Sequence, residues 1–152
     1  MKITYRTATA DDAAECIKLH IRAKDHYSLG GGLENVETTI KIWQGFIKNK
    51  AIIGYVVITE GKICGYCFGS KNTGEIVGVS LLPEYENKGF GRALLTLTVE
   101  ALQAFGFKRL FLSCTANLAA RSYGFYRHLG WKSTGKYDDL NDEILEYYPA
   151  EL

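Results

Sequence analysis

Two periods of hydrophobic and polar positions succeed one another along this chain. The run Ile3–Thr7 reads as a first strand. A helix follows, capped by Asp11 or Asp12, with Ala13, Ala14, Ile17 and Ile21 at helical spacing. The glycines Gly30–Gly32 break it, and a second helix carries Val36, Ile40, Trp43 and Ile47 on one stripe. Three strand-like runs come next, Ala51–Thr59, Lys62–Ser70 and Glu75–Leu82, divided by the turns Glu60-Gly61 and Asn72-Thr73-Gly74. After Pro83 the period changes to that of a helix, with Leu94, Leu95, Thr98, Ala101, Leu102 and Phe105 on one stripe up to Gly106. Lys108–Cys114 is again a strand. Leu118, Ser122, Phe125, Tyr126 and Leu129 form a fourth helical stripe stopped by Gly130, and strands near Trp131–Lys136 and Glu143–Tyr148 end the series.

The order is therefore β-α-α-β-β-β-α-β-α-β-β, which implies an α+β (α/β) fold: a mixed, mostly antiparallel sheet of about seven strands flanked by four helices. No repeat, linker or low-complexity stretch divides the chain, so residues 1–152 are expected to form one domain. Eighteen basic and 17 acidic residues leave a net charge of +1, which gives no reason to expect nucleic acid or an anionic membrane as partner. No apolar run approaches the length of about 18 residues that a membrane span needs. The opening Met1-Lys2-Ile3-Thr4-Tyr5-Arg6 has no signal-peptide core, and a cytoplasmic location is expected.

Cys16, Cys64, Cys67 and Cys114 lie in apolar segments and read as buried free thiols. Cys64 and Cys67 have CxxC spacing, but side chains three apart in a regular strand point to opposite faces, which argues against a disulfide or zinc. His20, His26 and His128 share no ligand spacing with the cysteines, so no metal is expected.

The segment Val79-Ser80-Leu81-Leu82-Pro83-Glu84-Tyr85-Glu86-Asn87-Lys88-Gly89-Phe90-Gly91-Arg92 carries the chemistry. A strand runs into a tight loop, and the loop opens a helix. Gly89 and Gly91 let a ligand approach the backbone closely. The first amides of the helix lack internal partners and, with the helix dipole, attract phosphate. Lys88 and Arg92 add positive charge. A dinucleotide fingerprint would need a glycine where Leu94 stands, and the Gly-Lys-Ser/Thr of a Walker loop is absent.

Val79–Leu95 resembles the coenzyme A motif of the GCN5-related N-acetyltransferases, whose loop reads Gln/Arg-x-x-Gly-x-Gly/Ala; here it is Glu86-Asn87-Lys88-Gly89-Phe90-Gly91. The order of elements matches that fold along nearly the whole chain. Asn117…Phe125-Tyr126-Arg127-His128-Leu129-Gly130-Trp131 resembles the second motif of the family, although Asn117 stands nine residues before Tyr126, a longer gap than is common. Glu86 replaces the usual Gln or Arg, and an acid beside a pyrophosphate is expected to turn towards solvent.

The resemblance implies an acetyl-CoA-dependent N-acetyltransferase. The backbone of Val79, Ser80 and Leu81 would meet the pantetheine arm, in a slot opened by splaying this strand from Lys108–Cys114. The amides from Asn87 through Lys88, Gly89, Phe90 and Gly91 to Arg92 would hold the pyrophosphate, with Asn117 a further coenzyme contact. Tyr126 would lie near the thioester sulfur. A thiol has a pKa of about 8.5 and a tyrosine hydroxyl about 10, so Tyr126 can stay protonated and donate as the thiolate departs. Glu75 stands 14 residues before Gly89, the spacing of the catalytic glutamate in the histone-acetylating branch, and is a candidate base; it also reads as a solvated residue at a hairpin turn.

The acceptor is expected between the first two helices and the last strands. Its candidate lining is His20, Asp25, His26, Tyr27, the Gly30–Gly32 loop, Trp43 and Tyr137–Asp139, with His20 and His26 read as surface or capping residues. Asp138, Asp139, Asp142 and Glu143 form an acidic cluster able to attract an amine. Transfer to a primary amine of a small metabolite is expected by direct attack on the thioester. The alternatives are a protein or peptide acetyltransferase, acting on lysine or an N-terminus, and a non-catalytic CoA-binding sensor. The family resemblance also admits a homodimer.

Overall fold

The computed structural model describes residues 2–27, 35–118 and 120–150, without the side chains of residues 24–27. The expected break at Gly30–Gly32 and the side chains of Asp25, His26 and Tyr27 lie outside the described residues.

Within the described residues the elements follow the expected order. They are β1 (Ile3–Thr7), α1 (Ala13–Tyr27), α2 (Val36–Lys48), β2 (Ile52–Thr59), β3 (Lys62–Ser70), β4 (Ile76–Leu81), α3 (Phe90–Ala104), β5 (Leu110–Cys114), α4 (Arg121–His128), β6 (Lys132–Tyr137) and β7 (Glu143–Tyr147). The strands divide into two antiparallel sheets, β1-β2-β3-β4 and β5-β7-β6. Among the described residues a parallel bridge, Glu75 to Phe111, joins them. One buried cluster spans both sheets, with Val57, Cys67, Ile76 and Leu94 on one side and Leu110, Leu112, Leu145 and Trp131 on the other. A second cluster, containing Cys16, Leu19, Val56, Tyr66 and Phe68, lies under α1 and α2.

Local chemistry accounts for the element ends. Asp12 opens α1 indirectly, from a preceding 3-10 turn. Its carboxylate accepts the Thr9 amide at 2.7 Å and the Arg6 guanidinium at 2.7 and 2.8 Å. The Asn35 side chain caps α2 by accepting the Thr38 amide at 3.0 Å. Leu118 is not part of a helical stripe: it is 76% exposed and precedes α4.

The expectation that Cys64 and Cys67 face opposite ways is overturned. The pairing of β2 and β3 shifts between Val57 and Ile58, so Val57 faces Gly65 while Ile58 faces Ile63. Cys64 is the extra residue of this bulge, and a bulge resets the alternation of faces. Both thiols enter the same buried cluster, as free cysteines.

Candidate active site

The site lies where β4 and β5 part. At their near end the Phe111 amide donates to Gly74 O at 3.3 Å, beside the Glu75–Phe111 bridge. Beyond it β4 pairs with β3, and β5 pairs with β7. The opposite edge of β4 thus carries no ladder partner among the described residues past this bridge.

Tyr126 of α4 fills the gap. The chain leaves α4 through Gly130, and the Trp131 amide returns to Tyr126 O at 3.1 Å. The ring packs edge-on against Phe125 and Trp131, with centroids 5.0 and 6.2 Å away. The Tyr126 hydroxyl meets the Val79 backbone amide and lies within electrostatic reach of Cys67 and Cys114. Burial pushes its pKa well up, Cys67 adds to this, and the Val79 amide opposes it. The hydroxyl therefore keeps its proton at neutral pH. Cys67 is itself neutral, because burial pushes its thiol up to about 12.

Successive residues of β4 divide between the two faces of the sheet. Val79 faces Cys67 in register, while Ser80 faces Tyr66. Tyr66 lies under α1 and α2, held edge-on by Trp43 at 5.7 Å and packed against Phe68 at 5.4 Å. Its hydroxyl is 3.0 Å from His20 Nδ1, and Ser80 is its cross-strand partner. His20, partly exposed on α1, is thus also the partner of a buried tyrosine, a contact between distant segments that spacing could not show. A second bulge leaves Val77 without a partner, since Phe68 pairs with Gly78 and Gly69 with Ile76. Val77 instead lines an apolar cleft of about 120 Å³ with Trp43, Phe46, Ile52 and Phe68.

The glycine loop has the shape expected of it. Asn87 and Gly89 both adopt left-handed backbone, at φ 62° and 83°. A Cβ at Gly89 would meet nothing within 4 Å, whereas one at Gly91 would lie 3.3 Å from Phe125 Cζ. Gly89 therefore serves the backbone turn and Gly91 the close seating of α4. The first main-chain bond of α3 runs from Ala93 to Gly89 O at 3.1 Å, leaving the earlier amides without intrahelical acceptors. Asn87, Lys88 and Arg92 are exposed, and Phe90 is buried.

Glu86 does not turn to solvent as expected. Arg121, the first residue of α4, bonds its carboxylate at 2.7 Å and also donates to Asn87 Oδ1. The Glu86 side chain is only 15% exposed. Its charge is compensated from across the cleft, by an arginine absent from the expected set. The sequence does carry a signal, because Glu86 stands where the family usually has Gln or Arg and needs a cation.

Other expected residues are less central. Glu75 sits at the closed end of the gap, where burial, and then Asp138, raises its pKa. It stands four positions before Val79, about 13 Å at ~3.3 Å per strand residue. Asn117 is exposed in the turn before α4, its amide donating to Thr115 Oγ1 at 3.2 Å. The acidic cluster is largely used internally. Asp138 accepts the Leu140 and Asp142 amides at 2.9 Å, and Glu143 bonds Arg127 and Ser133. Tyr137 is 57% exposed. Among the described residues no group of three or more His, Cys, Asp or Glu side chains could hold a metal, and no helix is long and apolar enough to cross a membrane.

A split sheet, a glycine-rich turn opening a helix and a tyrosine in the split together define an acyl-coenzyme A-type fold. The model of the acetyltransferase (GNAT) family matches residues 13–131, and the chain belongs to that family. No curated protein matches it in sequence. Among solved structures, it is similar to PaiA N-acetyltransferase from Thermoplasma acidophilum, in complex with coenzyme A. The TM-score is 0.79 at 21% identity, over 98% of this chain and 100% of that one. YncA from Salmonella typhimurium, with its cofactor acetyl-CoA, gives 0.79 at 16%, over 100% and 96% of the two chains. Ribosomal-protein-alanine N-acetyltransferase from Brucella melitensis gives 0.78 at 18%, over 96% and 99%. At these identities the likeness is one of fold.

Proposed function

We propose that this protein transfers an acetyl group from acetyl-CoA to the primary amine of a small molecule. The observation that carries the reading is the parting of β4 from β5 beyond the Glu75–Phe111 bridge, with the buried Tyr126 of α4 beside the gap and the left-handed Gly89 turn opening α3. The residues fit a coenzyme. The edge of β4 offers main-chain groups to a pantetheine arm, and the amides from Asn87 to Arg92 offer donors to a pyrophosphate beside left-handed, unobstructed Gly89. Asn117 stands near the start of α4 as a further candidate contact. Two of the similar structures contain coenzyme A or acetyl-CoA, which supports the same ligand here.

When bound, acetyl-CoA supplies an activated acyl group as its thioester. The Val79 amide is placed to donate to the acyl oxygen, where charge develops during attack. Tyr126 is placed to protonate the leaving sulfur, a role its raised pKa preserves. Glu75 lies far enough from Val79 that it would serve as base only through water. The small apolar cleft lined by Trp43, Phe68 and Val77 favours a small acceptor with an apolar portion over a protein surface.

The test is the melting temperature with 1 mM acetyl-CoA, with ATP and NAD as controls. For a Kd of about 10 μM, binding adds about 2.7 kcal/mol, and each kcal/mol moves the midpoint by about 2–4 °C at this size. A rise of about 5–11 °C is expected for acetyl-CoA alone. Thiol release is then measured against small primary amines and against lysyl and N-terminal peptides. No shift would remove the coenzyme reading; turnover of peptides alone would replace the small-molecule acceptor; a shift without turnover of any amine would leave a sensor.

A further inference from the structure

The face of β4 opposite Tyr126 holds a second group of polar side chains that the family motifs leave out. Tyr66 and Ser80 are direct cross-strand partners on β3 and β4. Directly opposed side chains in an antiparallel pair have Cβ atoms about 4.5–5.5 Å apart. The Tyr66 hydroxyl also reaches His20 Nδ1 at 3.0 Å. Ser80 follows Val79, and His20 is partly exposed on α1, so the three residues connect the reacting edge of β4 with the protein surface.

We propose that Ser80, Tyr66 and His20 form the path by which the acceptor amine loses its proton, with His20 the terminal acceptor. The inference rests on the acetyltransfer reading above. The amine enters neutral, and its nitrogen lone pair forms the C–N bond. Ser80 Oγ takes the proton the nitrogen sheds and passes its own to Tyr66 Oη. Tyr66 passes its own to Nδ1 of His20, which carries its other proton on Nε2 and becomes imidazolium. The electron pair of the breaking C–S bond stays on sulfur, which takes the Tyr126 proton. His20 then loses one proton to water and Tyr126 regains one, so the sum is an amide and a thiol. Neither Ser80 nor Tyr66 ionises at any stage, because each gives up a proton as it receives one.

The surroundings suit this division of labour. Trp43 and Phe68 pin the Tyr66 ring, so its hydroxyl oxygen has one position. Cys16 on α1 and Cys67 on β3 are the thiols nearest in influence to Tyr66, and burial pushes both up to about 12, so neither competes for the proton. Of the charged groups on α1, Glu15 accepts the Ile63 amide at 2.7 Å, and Arg22 pairs with Glu84 at 2.6 Å beyond the end of β4. From α2 the contact to Tyr66 is Trp43, which carries no charge. Entry from the Ser80 face and departure past Tyr126 also put proton acceptor and proton donor on opposite sides of β4.

The experiment combines imidazole nitrogen NMR with kinetics. In the whole protein without coenzyme, long-range 1H–15N spectra read the His20 tautomer through pH 5–9. Protonated Nε2 with Nδ1 accepting is expected in the wild type, with a change of tautomer ratio and of titration midpoint in Tyr66→Phe. Protonated Nδ1 in the wild type overturns the proposal. In thiol-release assays on the amine panel, His20→Gln, Tyr66→Phe and Ser80→Ala are each expected to lower kcat about 10²-fold. The KM for acetyl-CoA should stay within threefold, and the acidic limb of the wild-type pH profile should vanish in His20→Gln. The double variant of His20 and Tyr66 should be no slower than the worse single one, because both interrupt one path. Wild-type turnover with undiminished variants, or a loss confined to Glu75→Gln, overturns the path while leaving the acetyltransferase intact. A wild type that neither binds acetyl-CoA nor turns over any amine overturns the function instead.

Discussion

A tyrosine can protonate a departing thiolate only while it still holds its own proton, and the environment of Tyr126 secures that condition. Burial raises its pKa before any charge is considered, so it enters the reaction protonated. Tyr126→Phe keeps the ring and its packing and removes the donor alone. The expected result is a fall in kcat of about 10²–10⁴-fold at pH 7, with little change in the KM for acetyl-CoA, measured by thiol release. Asp12 illustrates the opposite shift. The Arg6 guanidinium, more than burial, decides its charge state and holds its carboxyl below the ordinary value. A carboxylate depressed in the folded state stabilises above its unfolded pKa of about 3.9, and that contribution fades as pH falls through the folded value. Asp12→Asn also weakens the turn that opens α1. It is expected to cost about 1 kcal/mol at pH 7, or about 2–4 °C in Tm, and the gap from wild type should narrow in melts at pH 3.

The coenzyme loop works as an element because three segments define it together: the left-handed turn at Asn87 and Gly89, the first turn of α3, and Arg121 reaching across from α4. Gly89→Ala places a Cβ on backbone at φ 83°, which costs about 1–2 kcal/mol although the space is open. Lower stability together with weaker acetyl-CoA binding by calorimetry is expected. Arg121→Ala acts through charge instead, leaving Glu86 uncompensated beside the phosphate-binding amides. A Kd raised about 5–10-fold is expected, corresponding to about 1–1.4 kcal/mol. Glu86→Gln in the same background should recover most of the loss. This loop also marks how far sequence carries. The strands, helices and glycine positions were legible because periodicity and turn chemistry are local. The Arg121–Glu86 pair and the His20–Tyr66 contact were not, because they join residues 35 and 46 positions apart and depend on how α4 and α1 pack. The bulge at Cys64 was invisible for a related reason: its one-residue shift exists only relative to the partner strand.

On the scale of the whole molecule, the two sheets diverge at their edges and still share one interior. Ile76 and Leu94 belong to the same buried cluster as Leu112 and Leu145, so one core spans both sheets. The molecule can therefore hold a gap between β4 and β5 without becoming two units. Leu145→Ala, at a position with no exposure, is expected to cost about 2–5 kcal/mol and to lower a single melting transition seen alike by circular dichroism and tryptophan fluorescence. The gap has a different response. Because the edge of β4 beyond the Glu75–Phe111 bridge lacks a ladder partner, its outward amides depend on Tyr126 and on whatever enters the slot. A pantetheine arm lying along that edge would act as an added strand and slow the exchange of those amides. Hydrogen exchange with and without acetyl-CoA should therefore show added protection over residues 79–81 and 87–92, with no change over residues 62–65 near the start of β3. Uniform protection across both sheets would mean that the coenzyme stabilises the fold as a whole rather than filling the gap, and an unchanged β4 would place it elsewhere.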